Sequence, residues 1–456
     1  MRKRLYTVII ALFICACMLP SAGMLIFGPS QPGANEILAG PPALTGPDGS
    51  FNRNVLSDTE KYFADRFAFR QEFITAWSRL NASLLRSSVE EDVVLGSDGW
   101  LYYGQTLDDY TGRTVMDERQ IFCAAYNLKL MQDCALSRGA DFVFTVAPNK
   151  NSVYPEHMPD YKKISGPRNI ELLRAALAAQ GVNYVELFDL FEDSGEVLYY
   201  RMDSHWNSKG AALAADRINS ALSRPSDFAE GPFTPRESHL GDLYKMLYPA
   251  GRELETDPEY DGGLSFSYNV PIRSAEDISI FTSSAGKSGS LLMFRDSFGN
   301  TLYPYMAQSF GSACFSRATP YRLTMADDRA ADTVVIELVE RNLANLAKGV
   351  PVMPAPQREV TAQRSSEMTA RITERTPGDI EGYVLLKGQL VGADMDADSP
   401  VYVCADGQCF AAFLTASEAG ERGFGLYVPD TSESDIDVIY YNDYVPYRAG
   451  YIEYSE

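Results

Sequence analysis

The chain predicts an α/β protein: a three-layer domain built on a parallel sheet, with a small antiparallel β-sandwich domain after it. Two observations carry this. Strand-like apolar runs at 141–147, 183–188, 291–294, 313–315 and 333–338 alternate with helical segments, and such alternation builds parallel sheets covered on both faces. Beyond about residue 380 the runs 383–391, 401–415, 423–428 and 435–441 follow one another directly, with Gly, Pro and Asp at the joins. A chain of 456 residues exceeds one ordinary domain, which fits the division.

Met1-Arg2-Lys3-Arg4 and the apolar stretch 5–27 come first. Three cations ahead of about 20 apolar residues are enough for a bilayer span with its basic end in the cytoplasm. Residues 1–28 are therefore expected to anchor a single-pass protein in the cell membrane, with everything after about residue 30 outside. The small residues Ser21-Ala22-Gly23 leave a cleaved signal, and a secreted protein, as the alternative. A Pro/Gly-rich spacer is expected over 29–48. Residues 57–86 carry Phe63, Phe67, Phe73, Trp77, Leu80 and Leu84 at helical spacing, which reads as a core-facing helix. The runs 93–95 and 100–103 read as a hairpin. A catalytic domain is expected over 49–348, with an irregular insertion at about 230–290. A linker follows at 349–379, then a β-module at 380–456.

Forty basic against 61 acidic residues, net −21, exclude nucleic acid as a broad-surface partner, because its phosphates would be repelled. Neither His-Glu-x-x-His nor paired Cys-x-x-Cys occurs. Gly286-Lys287-Ser288 has Phe281 where a phosphate loop needs Gly. No metal or cofactor is expected. Cys404 and Cys409 flank the turn pair Asp406-Gly407 and face each other across the predicted hairpin, an arrangement suited to a disulfide. Cys123 and Cys134 lie about 16 Å apart along one helix and cannot bond to each other. Tyr427, Tyr440, Tyr441, Tyr444 and Tyr447 read either as a sugar-stacking surface or as ordinary strand residues.

The chemistry concentrates at Arg201-Met202-Asp203-Ser204-His205-Trp206. A carboxylate two residues before an imidazole can orient it and stabilise its charge as a general base. Of the three histidines, His205 combines an aspartate at this spacing with a strand-like run before it and a helix start after it, and His239 is the fallback. Ser297 is the candidate nucleophile, since Leu291 to Asn300 reads as an apolar run, a sharp turn with Ser and Gly, and a helix start. That layout projects a hydroxyl from a sheet, much as a nucleophile elbow does. Asn149 follows the strand 141–147 and is either an oxyanion or positioning group, or a turn residue bonding its own backbone.

These residues resemble the SGNH-hydrolase-like polysaccharide O-acetyltransferases of the alginate acetylation type, and the related proteins named for an Asp-His-His-Trp motif. The likeness runs over roughly 50–345, through Val94 to Tyr102, Pro148 to Pro155, Asp203 to Trp206, Gly241 to Tyr244 and Arg295 to Gly299; Ser204 departs from the second letter of the motif. The resemblance implies a Ser297, His205, Asp203 triad, an acyl-serine intermediate and acetyl transfer to an extracellular or envelope polysaccharide. Asn149, Lys150, Trp206 and Arg295 are then candidates for oxyanion or substrate contact. It also implies a membrane-bound O-acyltransferase as acetyl donor. A carbohydrate esterase and a non-catalytic polysaccharide-binding envelope protein are the alternatives.

Overall fold

Successive side chains of a strand point to opposite faces, and the strand Asp141–Ala147 is apolar on both. Phe142, Phe144 and Val146 enter one core, while Val143 and Ala147 enter another. Both faces must therefore be covered. In the computed structural model, which describes residues 2–31, 38–46, 48–392, 395–418, 420–430 and 435–454, helices cover both.

In chain order the elements that matter below are α1 (Arg2–Phe27), α2 (Val55–Arg66), α3 (Arg70–Leu85), α4 (Glu118–Ser137), β1 (Asp141–Ala147), α5 (Asn169–Gln180), β2 (Tyr184–Val185) and α6 (Ser208–Ala221). They continue with β3 (Ser267–Tyr268), β4 (Ser279–Ser283), β5 (Ser290–Phe294), α7 (Gly299–Ser309), β6 (Ser312–Ser316) and β7 (Thr333–Val339). The seven strands form one sheet in the order β2-β1-β7-β5-β6-β4-β3. The first five are parallel, and β4 and β3 add an antiparallel edge. Leu128, Met131, Leu173 and Leu177 of α4 and α5 pack on one face with Phe144, Phe294 and Ile336. Ala211, Ala215, Ile218, Leu302 and Met306 of α6 and α7 pack on the other with Val143, Met293 and Val335. Each fully buried Leu, Ile, Met or Phe contributes about 1.5–3 kcal/mol through lost contact with water.

The C-terminal region forms a six-stranded and a five-stranded sheet. Val401, Val403, Val438 and Tyr440 of one sheet meet Ala370, Ile372, Leu386 and Leu426 of the other in a shared core. Cys404 and Cys409 pair across the turn and are joined by a disulfide. Asp406 and Gly407 both have positive φ, 52° and 76°, as a two-residue hairpin turn requires. Cys123 and Cys134 are free and buried. Residues 349–379, read from their composition as a linker, hold the strands Gln357–Arg358, Arg364–Ser365 and Thr369–Pro377, which enter these two sheets. These sheets bear on α4. Buried Asn127 donates to Leu346 O and Leu414 O and accepts from the Leu414 N–H.

Several expectations change. The region 57–86 is two helices, broken where Phe69 takes a φ of 64°, and its apolar residues do not face the core: Phe73, Trp77, Leu80 and Leu84 are exposed. The region 230–290 is more regular than expected. It pairs Phe233–His239 with Glu255–Tyr260 and supplies β3 and β4. The hairpin 93–103 forms as read. Tyr427 and Tyr440 are buried and offer no sugar-stacking face. Helix α1 is long and apolar enough to cross a membrane over Tyr6–Phe27, which suits an anchor or a signal equally. Residues 32–37 and 47 of the expected spacer lie outside the described residues.

Candidate active site

Three loops converge at the carboxyl edge of the sheet, where open α/β sheets place their ligands. The first begins at Phe294, the end of β5. Arg295 N–H donates to Ser316 O, and Asp296 N–H donates to Glu337 Oε2, at 2.9 and 3.1 Å. The Asp296 carboxylate in turn accepts the N–H groups of Phe298 (2.9 Å) and Val339 (2.7 Å). The turn is thereby tied to both neighbouring strands, and α7 starts at Gly299. A Cβ at Gly299 would lie 2.6 Å from Arg295 Cβ, so the tight return needs glycine. Ser297 itself is not among the residues with positive φ, so this turn lacks the backbone strain of a nucleophile elbow.

The second loop carries Asp203 and His205. Tyr199 and Trp206 bridge as an antiparallel pair, and Asn207 caps α6 by accepting the Gly210 N–H. His205 is thus fixed one residue before the bridging Trp206. A carboxylate only accepts, so the His205 Nδ1–H donates to Asp203 Oδ1 at 2.7 Å. His205 Nε2 then faces Ser297 Oγ at 2.9 Å. Asp203 is buried, whereas His205 and Ser297 remain partly open to solvent.

A third element completes the surroundings of Asp203. Its Oδ2 accepts from His239 Nε2–H (2.9 Å) and from the Asp242 N–H (2.8 Å). The His239 ring stacks on Tyr200 with centroids 3.7 Å apart. Ser204 donates through N–H and Oγ to the Asp242 carboxylate, at 2.8 and 2.6 Å. That carboxylate lies 3.5 Å from His205 Nδ1. Burial opposes ionisation of Asp203, but the two imidazoles outweigh it and hold its carboxyl well below the ordinary range. Burial likewise opposes charge on His205 and His239, yet the adjoining Asp203 raises both above the usual imidazole value. The ligand atoms of Asp203, His205 and Asp242 lie within 4.8 Å of one another, each already engaged in the hydrogen bonds just described.

The other expected site residues divide. Asn149 is buried, and its N–H donates to Glu340 Oε2 at 2.9 Å, while its carboxamide has no hydrogen-bond partner of normal geometry. It borders a cavity of about 10 Å³, room for about one water, shared with Tyr103, Ser204 and Arg341. Lys150, by contrast, spends its ammonium on the Tyr200, Arg201 and Asp203 carbonyls at 3.1, 3.0 and 2.5 Å, and burial pulls it down to about 8. It braces the loop that carries Asp203 and His205, with its ammonium shared among these three carbonyls. Trp206 is fully buried, donates Nε1–H to Phe298 O at 3.1 Å and stacks on Phe191. It holds the residue after Ser297 and offers no groove surface. Arg295 is also buried, donating to Asn300 Oδ1 at 2.5 Å and Ala275 O at 2.7 Å.

Four contributors were not read from the sequence as site residues. Asp242 lay within a quoted motif without a role, and Ser204 was read only as a departure from one. Glu337 is buried beside Asp296, and burial pushes its carboxyl well above the ordinary range. Arg341 lies just past β7 with its guanidinium over the Tyr103 and Phe298 rings at 5.2 and 5.8 Å. A charge two residues beyond a parallel strand was the available signal for Arg341. Beyond Asp296 a cleft of about 950 Å³ runs between the sheet edge at Tyr321 and Asn342 and the C-terminal sheets at Lys387, Phe424 and Tyr427.

Residues 93–263 match the family model described as SGNH hydrolase-like domain, acetyltransferase AlgX. The chain is similar to a probable alginate O-acetylase AlgJ of Pseudomonas syringae pv. tomato, 27% identical over 180 residues, 38% of this chain and 44% of that one. It is also similar to the protein of the same description from Pseudomonas aeruginosa, 25% identical over 214 residues, 44% of this chain and 52% of that one. The chain thus spans about half the length of these relatives. Among solved structures, Bacillus cereus PatB1 aligns with a TM-score of 0.44 at 17% identity over 55% of this chain and 96% of that one. The O-acetyltransferase domain of Pseudomonas putida AlgJ aligns with a TM-score of 0.37 at 18% identity, over 55% and 92%.

Proposed function

We propose, from the match of residues 93–263 to an SGNH hydrolase-like domain of acetyltransferase type, that the chain is an O-acetyltransferase acting on hydroxyls of an extracellular or envelope polysaccharide. The observation that carries the reading is the run of contacts Ser297 Oγ to His205 Nε2 at 2.9 Å and His205 Nδ1 to Asp203 Oδ1 at 2.7 Å, beside a solvent-reachable turn. In this reading Ser297 Oγ attacks the acetyl carbonyl carbon while its proton passes to His205 Nε2. Asp203 keeps the tautomer and stabilises the imidazolium. The tetrahedral oxyanion collapses, the C–O bond to the donor breaks, and His205 returns the proton to the departing oxygen. An acceptor hydroxyl then attacks acetyl-Ser297, giving its proton to His205, which returns it to Ser297 Oγ as the acetyl–Oγ bond breaks and the acetylated sugar leaves. The unpaired Asn149 carboxamide is the candidate oxyanion donor.

Acceptor binding is proposed at the solvent-open side of Ser297 and His205, with the cleft beyond Asp296, which neither residue lines, taking a more distant part of the polymer. The two C-terminal sheets, which begin with the strand Gln357–Arg358, are proposed as a β-sandwich module that walls this cleft, with the catalytic domain ending near 348. The acetyl donor is proposed to be a membrane-bound O-acyltransferase, and α1 to be a retained anchor with the remainder outside.

The test supplies purified protein with an acetyl ester and candidate oligosaccharides. Acetylated sugar should form, and Ser297→Ala should abolish it. Acetate release at the same rate with every acceptor, and no acetylated product, would replace this reading with an esterase. No turnover of any acyl ester would leave a binding protein.

A further inference from the structure

Helix α3 is turned inside out for a helix on a soluble surface. Its buried residues are Thr75, Ser78 and Asn81, whereas Phe73, Trp77, Leu80 and Leu84 are 44, 58, 48 and 71% exposed. The spacing 4, 3, 4 puts those four on one stripe. A water-facing stripe of this size costs free energy at about 25 cal/mol per Å² unless something covers it.

What covers it is indicated by the neighbours. The end of α1 rests on the corner between α2 and α3: the Phe27 and Phe69 rings meet at 5.6 Å, and a Cβ on Gly23 would fall 2.7 Å from Ala68 Cβ. The stripe therefore begins where the membrane-length helix ends. Residues 70–86 also hold three arginines against one glutamate, on a chain whose net charge is −21. A basic flank with Phe, Trp and Leu on the opposite side is the composition of a helix lying in a bilayer interface.

We propose that α3 lies in the headgroup boundary of the leaflet from which α1 emerges, with Phe73, Trp77, Leu80 and Leu84 in contact with lipid. The polar side of α3 then faces the catalytic domain. Thr75 Oγ1 accepts the Ala250 N–H at 2.9 Å, and Arg79 donates to the Tyr244 hydroxyl at 3.4 Å. Tyr244 lies within the short helix Asp242–Leu247 and Ala250 just beyond it, and the first N–H of that helix binds Asp203. One helix diameter, about 10–12 Å, thus separates the lipid surface from the element that holds the catalytic carboxylate.

The inference requires a retained α1 and does not depend on the acyl-transfer reading. It is tested on the full chain, its mass checked for α1, reconstituted in vesicles of phosphatidylcholine and phosphatidylglycerol with no other protein. Trp100 and Trp206 are buried, so Trp77 is the exposed one of three tryptophans and reports alone to quenchers at the surface. Lipids brominated near the headgroup should remove most of the Trp77 emission, and Trp77→Phe should remove the effect while the circular dichroism spectrum stays unchanged. Leu80→Gln with Leu84→Gln should weaken the quenching. Emission unaffected by bromolipid yet fully quenched by aqueous acrylamide would overturn the proposal and assign the stripe to a protein partner.

Discussion

His239 Nε2 lies 2.9 Å from Asp203 Oδ2, the carboxylate oxygen that His205 does not use. One buried carboxylate therefore serves two imidazoles. Replacing His239 by Ala leaves Asp203 fewer donors, so more of its negative potential acts on His205. The His205 pKa should rise, moving the acid limb of the pH–rate profile to higher pH, while the KM for a small acetyl ester stays unchanged. Glutamine, which can still donate, should restore the profile in part. An unshifted limb would separate His239 from the base.

Asp203→Asn should lower kcat by roughly 10³–10⁴, because an amide can donate to Nδ1 and stabilise the wrong tautomer. Steady-state turnover of an acetyl ester, with circular dichroism to confirm folding, measures it.

Stability and activity should respond to pH in opposite senses. His205 and His239 have raised folded pKa values, so their stabilisation is fully present below the unfolded value of 6.5 and is lost as pH rises through the folded values. Asp203 is depressed, so its stabilisation is present above 3.8 and is lost as pH falls through its folded value. Their joint contribution is largest between those two pH values. In the proposed reaction, however, His205 must be neutral to accept the Ser297 proton, so turnover should climb where thermal stability declines. Melting curves and rates over the same pH series compare the two directly.

Lys150→Met should act on folding more than on binding. Three backbone carbonyls lose their shared donor, and each unsatisfied buried group costs about 1–3 kcal/mol. A lowered Tm with turnover lost in parallel is expected. A raised KM at unchanged Tm would instead make Lys150 a substrate contact.

Asn127→Ala should loosen the C-terminal sheets from α4, since it strips partners from Leu346 O and from both backbone groups of Leu414. Limited proteolysis should then cut between about 349 and 369, where the wild-type chain should resist.

The sheet was legible because its strands are apolar on both faces and alternate with helices, a pattern that admits few topologies. Asp203, His205 and Ser297 were legible because local spacing and strand-end position accompany their chemistry. The carbonyl partners of Lys150 and Trp206 were not legible, for a shared reason: a sequence shows which atoms are polar or aromatic, not which carbonyls they will meet. Helix α3 failed differently. Its apolar period was read correctly, but periodicity locates a stripe without saying whether protein or another medium lies against it. His239 and Asp242 reach Asp203 from more than 35 positions away, a distance at which spacing carries no signal.

Helix α4 contributes to two cores at once: Leu128 and Met131 belong to the one beneath the parallel sheet, and Cys123 to the one between the C-terminal sheets. On the ribosome these faces cannot be satisfied together. The helix is complete at Ser137, but Phe413 and Leu414, which cover its outer side, are made roughly 280 residues later. At about 5–20 residues per second that is a delay of roughly 15–55 s with an apolar flank uncovered. The newborn chain carries that uncovered flank through the interval, and a nonsense codon before residue 410 should yield a protein that aggregates although every proposed catalytic residue is present.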